Sequence, residues 1–447
     1  MYNFYLASVI VPLVMGGSLK LDFKVNNGNI QKFMKRDNYF NMPLLATDNV
    51  GFYFTELGFG SENEKIIVLI DTGSADLWIT ADKAQCYKRA ETEDISSGSS
   101  QTSDWAVADS SVCKYFGSFD WEQSSSFNRN STDFDIIYAD GTFASGFWGY
   151  DTVSIGSTTV DNVIFGVANQ SSDVMGTLGL GMPGVELLVL RGQKGYVNFP
   201  QKLKYQGIID RQIYSLYLNK AEAQSGTVLF GAIDHEKYKG ELVTVPIVTN
   251  FSLFKNQVVI NMDSFNVSSN KKNGPIPETQ LLSNMAILLD SGTTISGFLR
   301  KTLTKLAESL GGGYLRSNYY VDCDVVLKSS LMMTIGNSTI QMPMSNFVYN
   351  YYGLCYLSFS ELDSEEESSY IIVGQDFLRH LYVVYDFDGL EISVAEAFYS
   401  KKENIEVVDS DGKFNRTSKH KSGTNSMYLV SIPLLVISLF LSLSTII

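Results

Sequence analysis

At 447 residues, with 45% hydrophobic and 13% aromatic content, the chain holds more apolar material than one ordinary core takes up and enough for two, which excludes a disordered protein. A formal net charge of −14 without a gathered basic face argues against a nucleic-acid partner, because phosphate binding needs clustered Lys and Arg. Cys86, Cys113, Cys323 and Cys355 allow three pairings, and sequence spacing alone does not choose among them.

The first element is an apolar run from Tyr5 to Met15 followed by small residues, expected to be a secretory signal over residues 1–17. No Lys or Arg precedes the run, and a buried strand is the other reading. Six N-x-S/T sequons, at Asn130, Asn169, Asn250, Asn266, Asn337 and Asn415, fit passage through a glycosylating compartment. Short runs such as YFTELGF, KIIVLID, FDIIYAD, GTVLFGA and VVYDFDGLEISVA are rich in β-branched and aromatic residues, with Gly, Asn, Asp and Ser between them. They predict an all-β chain. Helical periodicity is confined to FPQKLKYQG and to LRKTLTKLAESLGGG, which closes on a glycine stop.

The strand KIIVLID ends on Asp71, a carboxylate placed behind apolar residues, where burial is costly unless something holds it. The arrangement recurs in NMAILLDSGTTISGF around Asp290, 290 − 71 = 219 residues further on. Each aspartate is followed at a distance by an apolar element with glycine, GTLGLG (176–181) and YIIVGQDFL (370–378). Two related β lobes, residues 37–220 and 221–400, would bring the aspartates together at a seam, where clefts form. Two carboxyls about 3 Å apart share one proton. The ionised one can then take a proton from water while the other donates to a carbonyl oxygen, which is peptide hydrolysis without a covalent intermediate. The pair titrates as a unit, so neither aspartate is assigned the proton.

At the far end, a polar stretch over 401–426 leads into an apolar run over 427–447. Without basic stop-transfer residues after it, this reads as a discarded glycolipid-anchor signal, a single-pass helix being the alternative. Attachment candidates are Ser422, Gly423 and Asn425, with Ser410 and Gly412 upstream.

DTGS at Asp71–Ser74 and DSGTT at Asp290–Thr294 resemble the two active-site motifs of the pepsin-like aspartic proteases, and the likeness runs from about residue 50 to 400. YADGT (138–142) is similar to the family's flap hairpin, SGFWGYDTVSIG to the strand after it, and IIVGQDFLRHLYVVYDF to a second-lobe motif. The resemblance implies a bilobal all-β fold with Asp71 and Asp290 as the catalytic pair. It implies that Thr72 and Ser291 brace the two loops, that Ser74 and Thr293 are outer partners of the carboxylates, and that Gly73, Gly292 and Thr294 line the substrate site. Tyr138 resembles the flap tyrosine, Asp140 and Gly141 the flap tip, and Trp78 the tryptophan bonded to that tyrosine. Cys323 with Cys355 matches the second-lobe bridge, which leaves Cys86 with Cys113 to close an insertion. No metal or organic cofactor is implied.

A closer likeness is to the yapsins, the glycolipid-anchored fungal branch. Lys35-Arg36 resembles the site of a dibasic-cutting processing protease, ending a short propeptide over 18–36. That segment is brief for an inhibitory prosegment, and the linker after Lys401 is brief for a stalk. Yapsins favour Lys or Arg at the cleavage point. Asp140, besides its hairpin-turn role, would place a carboxylate near such a side chain, and the acidic run ELDSEEESS (361–369) would add negative potential. Lys88-Arg89 offers a further cut inside the insertion. The reading is a monomeric, surface-tethered aspartic endopeptidase acting on polypeptides with basic residues. The rival is a silent protease-like binding or adhesion module. Three histidines, His235, His380 and His420, with HEKY lacking a second histidine, leave no zinc-helix motif.

Overall fold

The computed structural model describes residues 17–27, 51–89, 105–138, 141–220, 222–223, 225–248, 257–271, 274–275, 278–362 and 370–420. The apolar N-terminal run, Lys35-Arg36, Asp140, Asn250, most of the acidic run and Ser422, Gly423 and Asn425 lie outside them.

Each half is built on the same knot of strands. In the first, Glu64–Asp71 lies parallel to Gly176–Gly179, with Val68 opposite Gly176 and Asp71 opposite Gly179, and Leu77–Arg89 runs antiparallel to that same short strand. In the second, Thr279–Leu289 lies parallel to Tyr370–Val373, and Gly297 of Gly297–Leu299 pairs antiparallel with Ile372. The short strand is thus wedged between the two that flank the aspartate turn. Every residue of GTLG is buried, whereas YIIV alternates half-buried Tyr370 and Ile372 with buried Ile371 and Val373. The glycines of GTLGLG are dictated by closeness: a Cβ on Gly176 would lie 2.2 Å from the Trp78 carbonyl oxygen and one on Gly179 2.5 Å from the Ala75 carbonyl carbon.

Between the halves runs a six-strand stretch of the large sheet in the order Tyr238–Pro246, Glu391–Ala397, Leu381–Asp386, Ile213–Tyr217, Ser225–Phe230, Leu19–Asn27. Every residue of Ile213–Tyr217 and of Leu381–Asp386 is buried. The six strands come from both sides of residue 220, so the halves share a floor. Leu19–Asn27 falls within the stretch read as propeptide, yet it pairs with Ser225–Phe230 over six residues and then with Gly51–Phe54.

The two helices expected from periodicity are present. Phe199–Tyr205 starts at Asn198 with a reciprocal capping box to Gln201, and Arg300–Ser309 buries Leu303, Leu306 and Ala307 before Gly311 turns the chain at φ +75°. The disulfides join Cys86 to Cys113 and Cys323 to Cys355.

Residues 401–420, read as linker, pack on the second half. Ile405–Val407 pairs with Ala232–Asp234, Val408 is fully buried, and the Gly240 and Leu242 amides donate to the carbonyls of His420 and Arg416. Among the sequons, Asn130, Asn169, Asn337 and Asn415 are exposed. Asn266 is half-buried within a strand paired on both sides, and its amide donates to Glu278.

Candidate active site

Each aspartate stands at the end of a strand, where the backbone turns and exposes amides that need acceptors. Asp71 Oδ1 accepts from the Gly73 amide at 2.8 Å and Oδ2 from the Ser74 hydroxyl. Asp290 repeats the pattern, accepting from the Gly292 amide at 2.8 Å and from Thr293 Oγ1 at 2.6 Å. These bonds hold both carboxylates in one rotamer and answer how a strand end can carry a buried acid.

The two loops are tied crosswise. Thr72 N donates to Ser291 Oγ at 3.0 Å and Ser291 N to Thr72 Oγ1 at 2.9 Å, while each hydroxyl donates onward to a carbonyl of the opposite strand, Leu289 and Ile70, at 2.9 Å. All four donors and acceptors are therefore satisfied without water. Gln375 Nε2 adds a bond to the Ser291 carbonyl at 2.7 Å.

The tie brings the aspartates together, and the glycines make that approach possible. A Cβ on Gly73 would stand 2.6 Å from Asp290 Oδ1, and one on Gly292 2.5 Å from Asp71 Oδ1. The two carboxyls are close enough that each feels the other's charge. Burial first, and then repulsion from Asp290, push the Asp71 carboxyl up to about 7, so the pair keeps a proton through the acidic range.

Close to Asp71, whose charge reaches Tyr138, lies the hairpin of Asn128–Ile137 and Phe143–Ile155. Its turn is closed by Tyr138 N to the Thr142 carbonyl at 2.8 Å and Gly141 N to the Tyr138 carbonyl at 2.9 Å, with Gly141 at φ +82°, a conformation glycine adopts without cost. The Tyr138 hydroxyl accepts from Trp78 Nε1 at 2.7 Å and lies 3.3 Å from Thr177 Oγ1. Burial raises the Tyr138 pKa, so the ring stays a neutral phenol. Trp78 is fully buried, whereas Thr294 sits half-buried on the second loop.

Sequence reasoning missed a layer of acids behind these loops. Asp76 accepts from Leu187 N at 2.9 Å and from the Tyr196 hydroxyl at 2.7 Å, and Glu186 accepts from Tyr196 N at 2.8 Å. Burial lifts Asp76 to about 6 and Glu186 to about 7. In the second half Asp376 accepts from Ser296 N at 3.1 Å and from Ser296 Oγ at 2.5 Å, and burial lifts it to about 6. A partial signal was available in the Asp inside SADLWIT, set in an apolar run, whereas Asp376 inside VGQDFL falls in the first turn of the helix Gln375–Leu378, an ordinary place for an acid.

Asp71, buried, and Asp290, half-buried, brought together at the meeting of two duplicated β knots, fit the site expected of an aspartic peptidase. The family model "Eukaryotic aspartyl protease" matches residues 52–397, and the chain belongs to that family as an aspartic endopeptidase. Among curated relatives, Secreted aspartic protease 10 of Candida albicans is 37% identical over 90% of this chain and 82% of its own length. Secreted aspartic protease 9 of the same organism is 33% identical over 92% and 90%. Aspartic proteinase yapsin-3 of Saccharomyces cerevisiae is 35% identical over 88% and 76%.

Proposed function

We propose that Asp71 and Asp290 hydrolyse peptide bonds beside Lys or Arg, in an enzyme that reaches the cell surface and is held there by a glycolipid anchor. The observation that carries the chemistry is the approach of each carboxylate to the opposite loop's glycine, which forces the two acids to hold one proton between them. The ionised partner draws a proton from the attacking water as the neutral one donates to the scissile carbonyl, and the roles then reverse to release the amine. Tyr138 closes over the substrate with its hydroxyl kept in place by Trp78.

The basic preference is supported by an acid in the flap sequence and another whose charge reaches Tyr138. Asp140 belongs to the turn sequence YADGT, and Asp173, on the segment before Gly176, bears on Tyr138 through its charge. A Lys or Arg side chain entering beside Tyr138 would meet the Asp173 charge, and the overall charge of −14 would draw basic peptides in. The relatives' names, one set secreted and one yapsin, support the secretory route. On this reading a processing protease cuts after Lys35-Arg36 and the anchor joins at one of Ser422, Gly423 or Asn425. The enzyme works as a monomer.

Profiling a peptide library with wild type, with Asp71→Asn and with a pepstatin-type inhibitor tests the proposal. Cleavage beside basic residues, lost in both controls, is the expected result. Retained cleavage in Asp71→Asn overturns the mechanism, and cleavage indifferent to Lys and Arg overturns the preference. Release of the protein from cells by a phosphatidylinositol-specific phospholipase tests the anchor.

A further inference from the structure

The hairpin that carries Tyr138 is touched from one side by an arm that the duplicated lobes do not require. Leu77–Arg89 runs past the core of its sheet, and its last three residues pair with Trp105–Val107, placing Tyr87 opposite Val107, Lys88 opposite Ala106 and Arg89 opposite Trp105. The root of the arm is fixed. Cys86 is fully buried, pairs with Ser171, is bonded to Cys113, and its carbonyl accepts from Ala108 N at 2.8 Å.

From that root the arm closes on Phe143, which opens the returning strand of the hairpin and pairs with Ile137. The Trp105 ring meets Phe143 edge-on at 5.6 Å between centroids and 79°, and Tyr87 meets it at 5.4 Å and 54°. The Arg89 guanidinium lies 5.6 Å over the Trp105 ring, and its Nη2 would be 3.9 Å from a Cβ on Gly141 in the turn itself. On its other side Phe143 is held by backbone, its amide donating to Ser172 Oγ at 2.7 Å and its carbonyl accepting from Ser172 N at 2.9 Å. Phe143 is thus pinned between the segment before Gly176 and two aromatic rings of the arm, five residues from Tyr138.

We infer that Trp105 and Tyr87 are positioning residues for the flap: the disulfide-rooted arm sets the height of Phe143, and through it the turn that carries Tyr138. This rests on the peptidase reading above and deepens it. Edge-on aromatic contact is directional, so loss of the Trp105 ring frees the base of the hairpin to splay. Lys88-Arg89 then has a role besides a cleavage site, because its residues are strand-paired and Arg89 caps the Trp105 ring.

The test uses the secreted ectodomain bearing Trp105→Ala, Trp105→Phe, Tyr87→Ala or, as a control on an exposed side chain of the same arm, Val107→Ala. Steady-state kinetics on one basic peptide are read beside hydrogen exchange of the peptide spanning 141–150. Trp105→Ala is expected to raise KM about 5- to 10-fold with kcat and Tm little changed and with faster exchange in the hairpin, Tyr87→Ala to do the same more weakly, and Trp105→Phe to restore most of the loss. Val107→Ala should leave all readouts alone. Unchanged exchange and KM in Trp105→Ala overturn the inference, as does a fall in Tm and kcat at constant KM, the mark of a merely structural ring. Exchange reports on the brace even if wild type proves not to cut the peptide, an outcome that would count against the peptidase reading alone.

Discussion

On the proposed mechanism, the carboxylates at 71 and 290 cannot be exchanged for amides without breaking a shared proton. Asp71→Asn and Asp290→Asn are each expected to lower kcat by about 10²- to 10⁴-fold, the usual share of general acid–base catalysis, with little change in fold. Peptide turnover against circular dichroism checks this. Gly292→Ala is a sharper probe of approach, since its Cβ would stand 2.5 Å from Asp71 Oδ1 and must push that carboxylate aside. A misplacement of about 1 Å costs about 10²-fold in rate, so an alanine there should leave a folded, nearly inactive enzyme. For the flap, Trp78→Phe deletes the 2.7 Å bond to Tyr138. It is expected to raise KM several-fold by freeing the ring. The sequence marked these residues because each has a local chemical reason to be where it is. Asp76, Glu186 and Asp376 were not marked, because their reason is three-dimensional: each is needed only once another loop delivers an amide or a hydroxyl to it.

Strand periodicity made the elements beside the aspartates legible, since KIIVLID and NMAILL each end where a turn must begin. It failed at the edges. Leu19–Asn27 looked like a segment to be discarded, and only its ladder to Ser225–Phe230 reveals a strand, because a partner two hundred residues away leaves no trace in local pattern. Sequons are equally blind to pairing. Asn266 lies within a strand with neighbours on both sides and its amide is committed to Glu278. Glycopeptide mapping is expected to find sugar at Asn130, Asn169, Asn337 and Asn415 and none at Asn266.

For the whole molecule the buried acids set the pH range. Asp71, Asp76, Glu186 and Asp376 all have folded-state pKa values above those of ordinary carboxyls, at about 7, 6, 7 and 6. Between the unfolded value near 4 and those values, the native state binds more protons than the unfolded chain, so stability falls as pH rises. Thermal melts should therefore give a Tm that declines from pH 4 to pH 7.5 and levels off above. Glu186 Oε1 has no hydrogen-bond partner among the described residues. Glu186→Gln, which keeps an acceptor for the Tyr196 amide and removes the charge, should flatten that decline.

The docking of residues 401–420 bears on reach. Twenty residues drawn out would span about 70 Å, but here Ser418 N returns to donate to the Gly240 carbonyl and the Ser418 hydroxyl to the carbonyl of Tyr238. On the proposed anchoring, an enzyme mounted through such a segment would be a turret and not a dog on a leash. It would then meet only chains that drift across its own doorstep, and its diet would be decided by the neighbourhood in which it is planted.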